Sequence, residues 1–406
     1  MARALSAHAR TALAVACALA AVTTSAAPAA LAAPAPVAAA ASCPAPGGGG
    51  PGAPDAAALR AALAALPDAG TTDALVRVGG GGGLWHGSAG VHDLRTNTPA
   101  DPNARFRAGS VTKVFTAAVV LQLAAQGRVR LDAPVRGYLP SLIPARYGGV
   151  TVRELLNHTS GIPAADAPGS TVEEAYAHRF DRFTPQGMVA QATGEEPEFA
   201  PGTAQHYLNI NYTVLGLLVE HVTGRPYASE VTRRILRPLH LDRTYFPGTG
   251  TGIRGPHNHG YQAFPAPGGT TELRDVTVWG QTEGYAAGDL ISSTADLETF
   301  MDALFRGQVV PRPQLAEMFT LPGPSVLTYG SGAPAAYSAG LSEIDLGGRA
   351  VWGKSGSRYG YTTVIGATCD LSRTLVASVG ATDAKGDDLN ATEEELMVAA
   401  FGAPSA

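Results

Sequence analysis

Apolar residues recur along this chain at spacings that change four times: helical, then strand-like near the start, helical through the middle, strand-like again, and helical at the close. Over residues 54–66, alanines and leucines follow Asp55 at helical spacing, and Pro67 and Gly70 end the pattern. Residues 74–78 and 84–91 read as strands on either side of the run Gly79 to Gly83. No helix opens after those glycines and no Gly-Lys-Ser follows, so they predict a hairpin turn and not a phosphate loop. Residues 111–126 are helix-forming and apolar on nearly every side (Val114, Phe115, Ala118, Val119, Leu121, Leu123), with Gly127 as the stop. A helix without a polar face belongs in the middle of a large fold. Shorter helical patterns follow at 151–158, 172–179, 184–193, 211–223 and 228–239, then a Gly/Pro-rich stretch at 247–269. Ser293-Thr-Ala-Asp296 resembles a capping box opening a helix over 295–305. Strand patterns return at 337–346, 350–352, 361–368 and 374–380, and a helix over 392–401 closes the chain with Glu393 to Glu395 in its first turn. Strands at both ends with helices between predict an α/β fold in which one sheet is built from the two chain termini around a helical insert, with Ser110 at the seam.

Composition narrows the compartment and the partners. Residues 1–32 read as a secretory signal: Arg3 and Arg10 form the positive end, residues 11–22 the apolar stretch, and Ala30-Leu-Ala32 a cleavage site. That stretch is too short for a stop-transfer helix, and no later run is long enough to span a bilayer, so a secreted or wall-associated protein is expected. Residues 33–54 are Ala, Pro and Gly with one Cys, a flexible lead-in that cannot bury a core. Residues 55–403 then form a single catalytic unit, with a sheet region from about 55–109 and 285–403 and a helical region of about 110–284. Removal of the signal takes the formal charge from −5 to about −7, and the arginines are scattered, so a nucleic-acid footprint is excluded. Cys43 and Cys369 remain after processing. In an oxidising compartment they either bridge the lead-in to the C-terminal part or stay as two thiols.

The chemistry is carried by lysine. Only three of the 29 basic residues are lysines, and two of them stand in Ser110-Val-Thr-Lys113 and Lys354-Ser-Gly-Ser357. A desolvated lysine beside another cation can lose its proton and take one from a serine hydroxyl, which arginine cannot do. Lys385, in the turn-like Asp383-Ala-Lys-Gly386, reads as a surviving lysine without a role. Serine and lysine at i and i+3 share a helix face, so the Lys113 amine reaches Ser110, and the first turn's free N–H groups favour negative charge nearby. Two lysines converging on Tyr207 and Ser110 are expected to depress each other's pKa and to favour a phenolate on Tyr207. His257-Asn-His259 lacks a third ligand nearby and reads as a structured loop, and His158 as a buried structural histidine. No Gly-x-Ser-x-Gly elbow is present.

With Phe106-Arg-Ala-Gly-Ser-Val-Thr-Lys113, Thr151-Val-Arg-Glu-Leu-Leu-Asn-His-Thr-Ser-Gly161, Tyr207-Leu-Asn209, Leu290-Ile-Ser-Ser-Thr-Ala-Asp-Leu297 and Trp352-Gly-Lys-Ser-Gly-Ser357, nearly the whole mature chain resembles the serine D-alanyl-D-alanine carboxypeptidase and class C β-lactamase family. The resemblance implies a β-lactamase/transpeptidase-like fold, an antiparallel sheet with flanking helices plus an all-helical domain. It implies no metal and no organic cofactor. Ser110 is then the nucleophile, Lys113 holds its proton, Tyr207 assists as base or shuttle, and Lys354 supplies positive charge. Asn209 binds the substrate amide, Ser355, Gly356 and Ser357 line the substrate strand, and the backbone N–H groups of Ser110 and Ser357 form the oxyanion hole. The third motif is Lys-Ser-Gly where lactamases usually have Lys-Thr-Gly, and residues 340–346 carry no arginine for a terminal carboxylate, so Arg358 is the candidate anchor. The resulting expectation is an exported monomeric serine hydrolase acting through an acyl-enzyme, first a D-alanyl-D-alanine carboxypeptidase on cell-wall peptides. A β-lactamase, an esterase or a D-aminopeptidase fits the same scaffold, and a penicillin-binding sensor is the non-catalytic rival.

Overall fold

The computed structural model describes residues 52–166, 169–346, 348–386 and 389–402. The expected signal and most of the lead-in lie outside them, as does Cys43; Cys369 is disulfide-bonded.

Both ends of the chain build one antiparallel sheet of seven strands. Helix α1 (Ala56–Leu63) leads into β1 (Thr71–Gly79), β2 (Trp85–Asp93) and the short β3 (Thr98–Pro99). The C-terminal part adds β4 (Ser342–Asp345), β5 (Ala350–Arg358), β6 (Tyr361–Thr368) and β7 (Thr374–Ala381). Their spatial order is β4-β5-β6-β7-β1-β2-β3, so the first strand of the chain zips onto the last, with Val76 opposite Ala377. Alternation along β1 fills two cores: Ala74, Val76 and Val78 face Leu59, Leu63, Leu396 and Phe401, while Leu75 faces the opposite layer.

That opposite layer begins with α2 (Thr112–Ala125), of whose fourteen residues eleven are buried, among them Val114, Phe115, Val119 and Leu123. Its lack of a polar face therefore reflects position: it lies between α3 (Asn209–Thr223), in the helical region, and α4 (Thr294–Phe305), which packs on the sheet. Phe115 and Phe300 stack with centroids 3.7 Å apart and join α2 to α4. Ser293 caps α4 by accepting from the Asp296 N–H at 3.3 Å, as its sequence indicates. Helix α5 (Ala391–Phe401) returns to cover the α1 face.

Three segments differ from their sequence patterns. The Gly/Pro-rich stretch contains a hairpin, Tyr261–Ala266 with Thr270–Asp275. The helix read over 228–239 shortens to Tyr227–Val231 followed by a π-turn at Thr232–Leu236. Only Ser342–Asp345 of the strand read over 337–346 pairs in the sheet, because Gln205 takes the backbone just before it. Its side chain accepts from the N–H groups of Ala336 (2.9 Å) and Tyr337 (3.1 Å) and donates to the Tyr337 carbonyl (2.8 Å). Among the described residues no helix is long and apolar enough to cross a membrane.

Candidate active site

Ser110 sits in a 3₁₀ turn, Gly109–Val111, immediately before α2. The turn runs straight into α2, so Lys113, three residues on, lies on the same face as the serine. The Lys113 Nζ lies 3.1 Å from Ser110 Oγ, 2.7 Å from Asn209 Oδ1 and 2.9 Å from the Ala287 carbonyl. Ala286 holds a left-handed backbone, φ 56°, that turns consecutive carbonyls onto α2: its own oxygen accepts from Thr116 Oγ1 at 2.6 Å, and that of Ala287 from Lys113. Such a conformation costs an alanine about 1–3 kcal/mol and persists only where surroundings enforce it.

Two glycines let strand β5 lie against this turn. Gly109 has φ 51°, and a Cβ there would stand 2.5 Å from the Ser357 nitrogen; a Cβ on Gly356 would stand 2.1 Å from the Ala108 carbonyl and 2.8 Å from the Ser110 nitrogen. Backbone therefore meets backbone, and the nitrogens of Ser110 and Ser357 lie on either side of one contact.

Tyr207 leads into α3. Its ring lies 4.5 Å from His158 on one side and 4.5 Å from Tyr337 on another, and both Lys113 Nζ and Lys354 Nζ stand 4.8 Å from its centroid. The Tyr207 hydroxyl lies beside Ser110, just outside a well-formed hydrogen bond. Lys354 donates to the Ser355 carbonyl at 2.8 Å. His158 is buried, and its Nδ1 accepts from the Leu208 N–H at 3.4 Å, so it is the Nε2–H tautomer and a platform for Tyr207, in keeping with a structural histidine.

Burial governs the protonation states. Lys113 is held well below the ordinary lysine range, first by desolvation and then by the charges of Lys354, Lys385 and Arg358. Burial also brings Lys354 down to about 7, against the pull of Glu393. His158 is driven well below its usual value by burial and the two lysines, so it stays neutral. Tyr207 moves opposite to the phenolate reading: desolvation raises it far above an ordinary phenol. The reason is shared, since the burial that strips the lysines of protons removes the charge a phenolate would need. A neutral Lys113 amine has two N–H bonds and one lone pair. With Asn209 Oδ1 and the Ala287 carbonyl as acceptors for the N–H groups, the lone pair is left for the Ser110 hydroxyl.

The structure thus brings Ser110, Lys113, Tyr207, Asn209, Lys354, Ser355, Gly356 and Ser357 together around two cavities. One, of about 390 Å³, is lined by Ser110, Tyr207, Tyr337, Lys354, Ser357 and Glu393. The other, of about 280 Å³, lies beside Asn209 and is walled by Phe183, Met188, Leu208, Trp279 and Tyr359 with Glu283. Arg358 reaches the second cavity but not as an open anchor, since its guanidinium donates to Glu283 Oε1 at 2.7 Å. Lys385 is a correction to the sequence reading: it lines the same cavity and donates to the Ser357 carbonyl at 3.1 Å, so all three lysines of the chain meet here. Their scarcity was the signal for Lys385; Tyr337, Glu283 and Glu393 carry none in the local sequence. His257 and His259 bond instead to the Gly255 carbonyl and Asp275, and no metal-holding cluster of His, Cys, Asp and Glu occurs among the described residues.

The sequence pattern of the family described as Beta-lactamase matches residues 59–397. Among solved structures, a D-stereospecific amidohydrolase from a Streptomyces species is 34% identical and superimposes with a TM-score of 0.73, over 86% of this chain and 99% of that one. A D-amino acid amidase from Ochrobactrum anthropi, 24% identical over 84% of this chain and 97% of its own, shares the fold with a TM-score of 0.71. Protein flp of Staphylococcus aureus is 29% identical over 215 residues, a match that takes in 52% of this chain and 40% of flp.

Proposed function

This chain belongs to the beta-lactamase family and is a serine hydrolase; we propose that it cleaves amides and short peptides of D-amino acids through an acyl-enzyme on Ser110. In the first step Lys113 accepts the hydroxyl proton as Ser110 Oγ bonds to the substrate carbonyl carbon, and the oxyanion rests on the N–H groups of Ser110 and Ser357. Collapse breaks the C–N bond. The proton on Lys113 passes to the departing nitrogen by way of the Tyr207 phenol, which stays neutral and both gives and receives a proton. Water then adds to the ester carbonyl as Lys113 takes its proton, directly or relayed through the neutral Tyr207 phenol; the bond to Ser110 Oγ breaks, Oγ takes that proton back, and the acid leaves. Lys354 holds its positive charge beside Tyr207 while that shuttle operates.

One observation carries the choice of substrate: the cavity beside Asn209 has apolar and aromatic walls, and beside its cations Arg358 and Lys385 it holds two carboxylates, Asp166 and Glu283, the latter partly exposed although it pairs with Arg358. An aliphatic or aromatic side chain fits the walls, and a free α-ammonium finds its counter-charge in Glu283. The D configuration is supported by the Streptomyces amidohydrolase. The carboxypeptidase expectation needs an arginine open to a terminal carboxylate, and Arg358 is already paired. The segment that reads as a secretory signal supports action outside the cytoplasm. We take the working form as a monomer, for which sedimentation at a dimer mass is the contrary result.

Side-by-side assay of D-phenylalaninamide, its L isomer, N-acetyl-D-phenylalaninamide, a D-Ala-D-Ala peptide and a chromogenic cephalosporin tests this reading. The free D-amide is expected to lead, and Glu283→Gln to raise its KM about tenfold or more while leaving the N-acetyl compound unaffected. Preference for the D-Ala-D-Ala peptide would restore the carboxypeptidase. Failure of every acyl donor to label Ser110 would favour the sensor.

A further inference from the structure

Of the two cavities, only the one lined by Ser110 borders the groups that pass a proton to a departing atom. Tyr207 and Lys354 line the cavity of about 390 Å³, so that side receives the leaving group, an assignment that rests on the mechanism above. Its far wall includes Glu393, in the first turn of α5. A first-turn glutamate ordinarily turns back to cap its own helix or reaches water. Asn390 already caps α5, its Oδ1 accepting from the N–H groups of Thr392 at 3.0 Å and Glu393 at 3.3 Å. The Glu393 side chain instead points inward and is 2% exposed. Its Oε1 and the neighbouring Thr362 hydroxyl are both buried without a well-formed hydrogen bond. The two lie close enough for the hydroxyl to favour the Glu393 anion, yet neither is well paired, and a buried polar atom left unsatisfied costs about 1–3 kcal/mol.

Charge on this wall favours the same side. Among the described residues the cavity is lined by two acids, Glu393 and Asp383, and one cation, Lys354, whose ammonium is directed to the Ser355 carbonyl. We propose that Glu393 sets the leaving-group specificity of the enzyme, accepting hydrogen bonds from leaving groups that carry N–H and excluding those that carry a carboxylate. Primary amides and peptides blocked at the C-terminus are then favoured over peptides ending in a free acid.

The exclusion depends on pH. Burial lifts the Glu393 carboxyl to about 7, against the Thr362 hydroxyl and the Lys354 ammonium, so its anion forms as pH rises past neutrality. Lys354 loses its charge over the same range, which removes an attraction for carboxylates, so both changes act in one direction. Asp383 and the phenols of Tyr207 and Tyr337 complete the titratable lining.

Esters of one acyl group with 4-nitrophenol and with 3-carboxy-4-nitrophenol differ on the leaving side by a single carboxylate. The wild type is expected to prefer the uncharged leaving group by about tenfold or more in kcat/KM near pH 8.5, with the preference shrinking toward about pH 6. Glu393→Gln should bring the ratio close to one near pH 8.5 and, with Lys354 still charged toward pH 6, leave there at most a small preference for the carboxylate-bearing leaving group. An unchanged ratio in that variant overturns the proposal. Should the variant fail to fold, the wild type decides: a ratio flat across the same pH range overturns it equally. Running the pair with D- and L-phenylalanyl and with plain acetyl groups separates the two readings. Equal D and L rates would sink the amidohydrolase assignment, while the acetyl pair still reports on Glu393.

Discussion

Lys113 is a lysine whose surroundings argue against its charge, with only the Asp289 carboxylate pulling the other way among the charged groups that act on it. It is fully buried, it shares its surroundings with Lys354, Lys385 and Arg358, and two of its three polar contacts are acceptors that a neutral amine satisfies. Lys113→Arg would keep a cation and abolish the base, and Lys113→Met would remove both. Each is expected to lower kcat/KM for a nitrophenyl ester by about 100-fold to 10,000-fold, with circular dichroism checking that the fold survives. Near-native rates in the arginine variant would rule out proton acceptance by this residue. The protonation states also give a profile. Activity should rise as Lys113 sheds its proton, well below the ordinary lysine range, and decline as Lys354 loses its own near 7, so kcat/KM of the free enzyme against a neutral ester is bell-shaped. A profile still climbing past pH 9 or so would show that Lys354 need not be charged. Of these residues, the motifs displayed Ser110, Lys113, Tyr207, Asn209 and Lys354 in the bare sequence. Glu283, Tyr337 and Glu393 were hidden, because nothing in the spacing of a glutamate along a helix says that it faces a cavity built by another strand.

Elements matter here through how closely they approach. The turn Gly109–Val111 and strand β5 meet backbone to backbone, and the contact exists only while positions 109 and 356 lack a Cβ. Gly356→Ala would push β5 away from the Ser110 nitrogen and open the pair of N–H groups. Loss of one such donor typically costs about 100-fold to 1000-fold in kcat, so burst kinetics should show slowed acylation with KM little changed. An unaffected kcat would mean that the two nitrogens do not act together. The apolar helix α2 and the strands of the sheet were readable because their periods are unbroken. The hairpin Tyr261–Ala266 with Thr270–Asp275 was not, since Pro265, Pro267, Gly268 and Gly269 interrupt its alternation. Residues 337–341 read as strand and are not, because the side chain of Gln205 takes backbone groups at Ala336 and Tyr337 just ahead of the sheet. Period alone carries no information about such a distant partner.

At the scale of the molecule, the helical region and the sheet are held to each other through α2 and α4, and Phe300 against Phe115 is the contact that can be removed cleanly. Both rings are wholly buried, so Phe300→Ala should cost about 3–5 kcal/mol in urea unfolding and loosen the seam that carries Ser110. A cost below about 1 kcal/mol would show that the seam is held elsewhere. The joining of β1 to β7 makes the N-terminal and C-terminal parts of the chain one sheet, and Lys354, on β5 of that sheet, lines one cavity with Ser110 of the turn before α2. The sequence by itself determined the fold class, the central helix and the motifs that the fold gathers around Ser110, because local spacing and side-chain chemistry are written residue by residue. The tertiary structure alone decided how burial shifts the protonation of each group, that Arg358 is already matched by Glu283, and that Lys385 lines the cavity beside Asn209 and Glu393 the one beside Ser110. Those properties depend on desolvation and on distances between segments far apart in the chain, which no local pattern encodes.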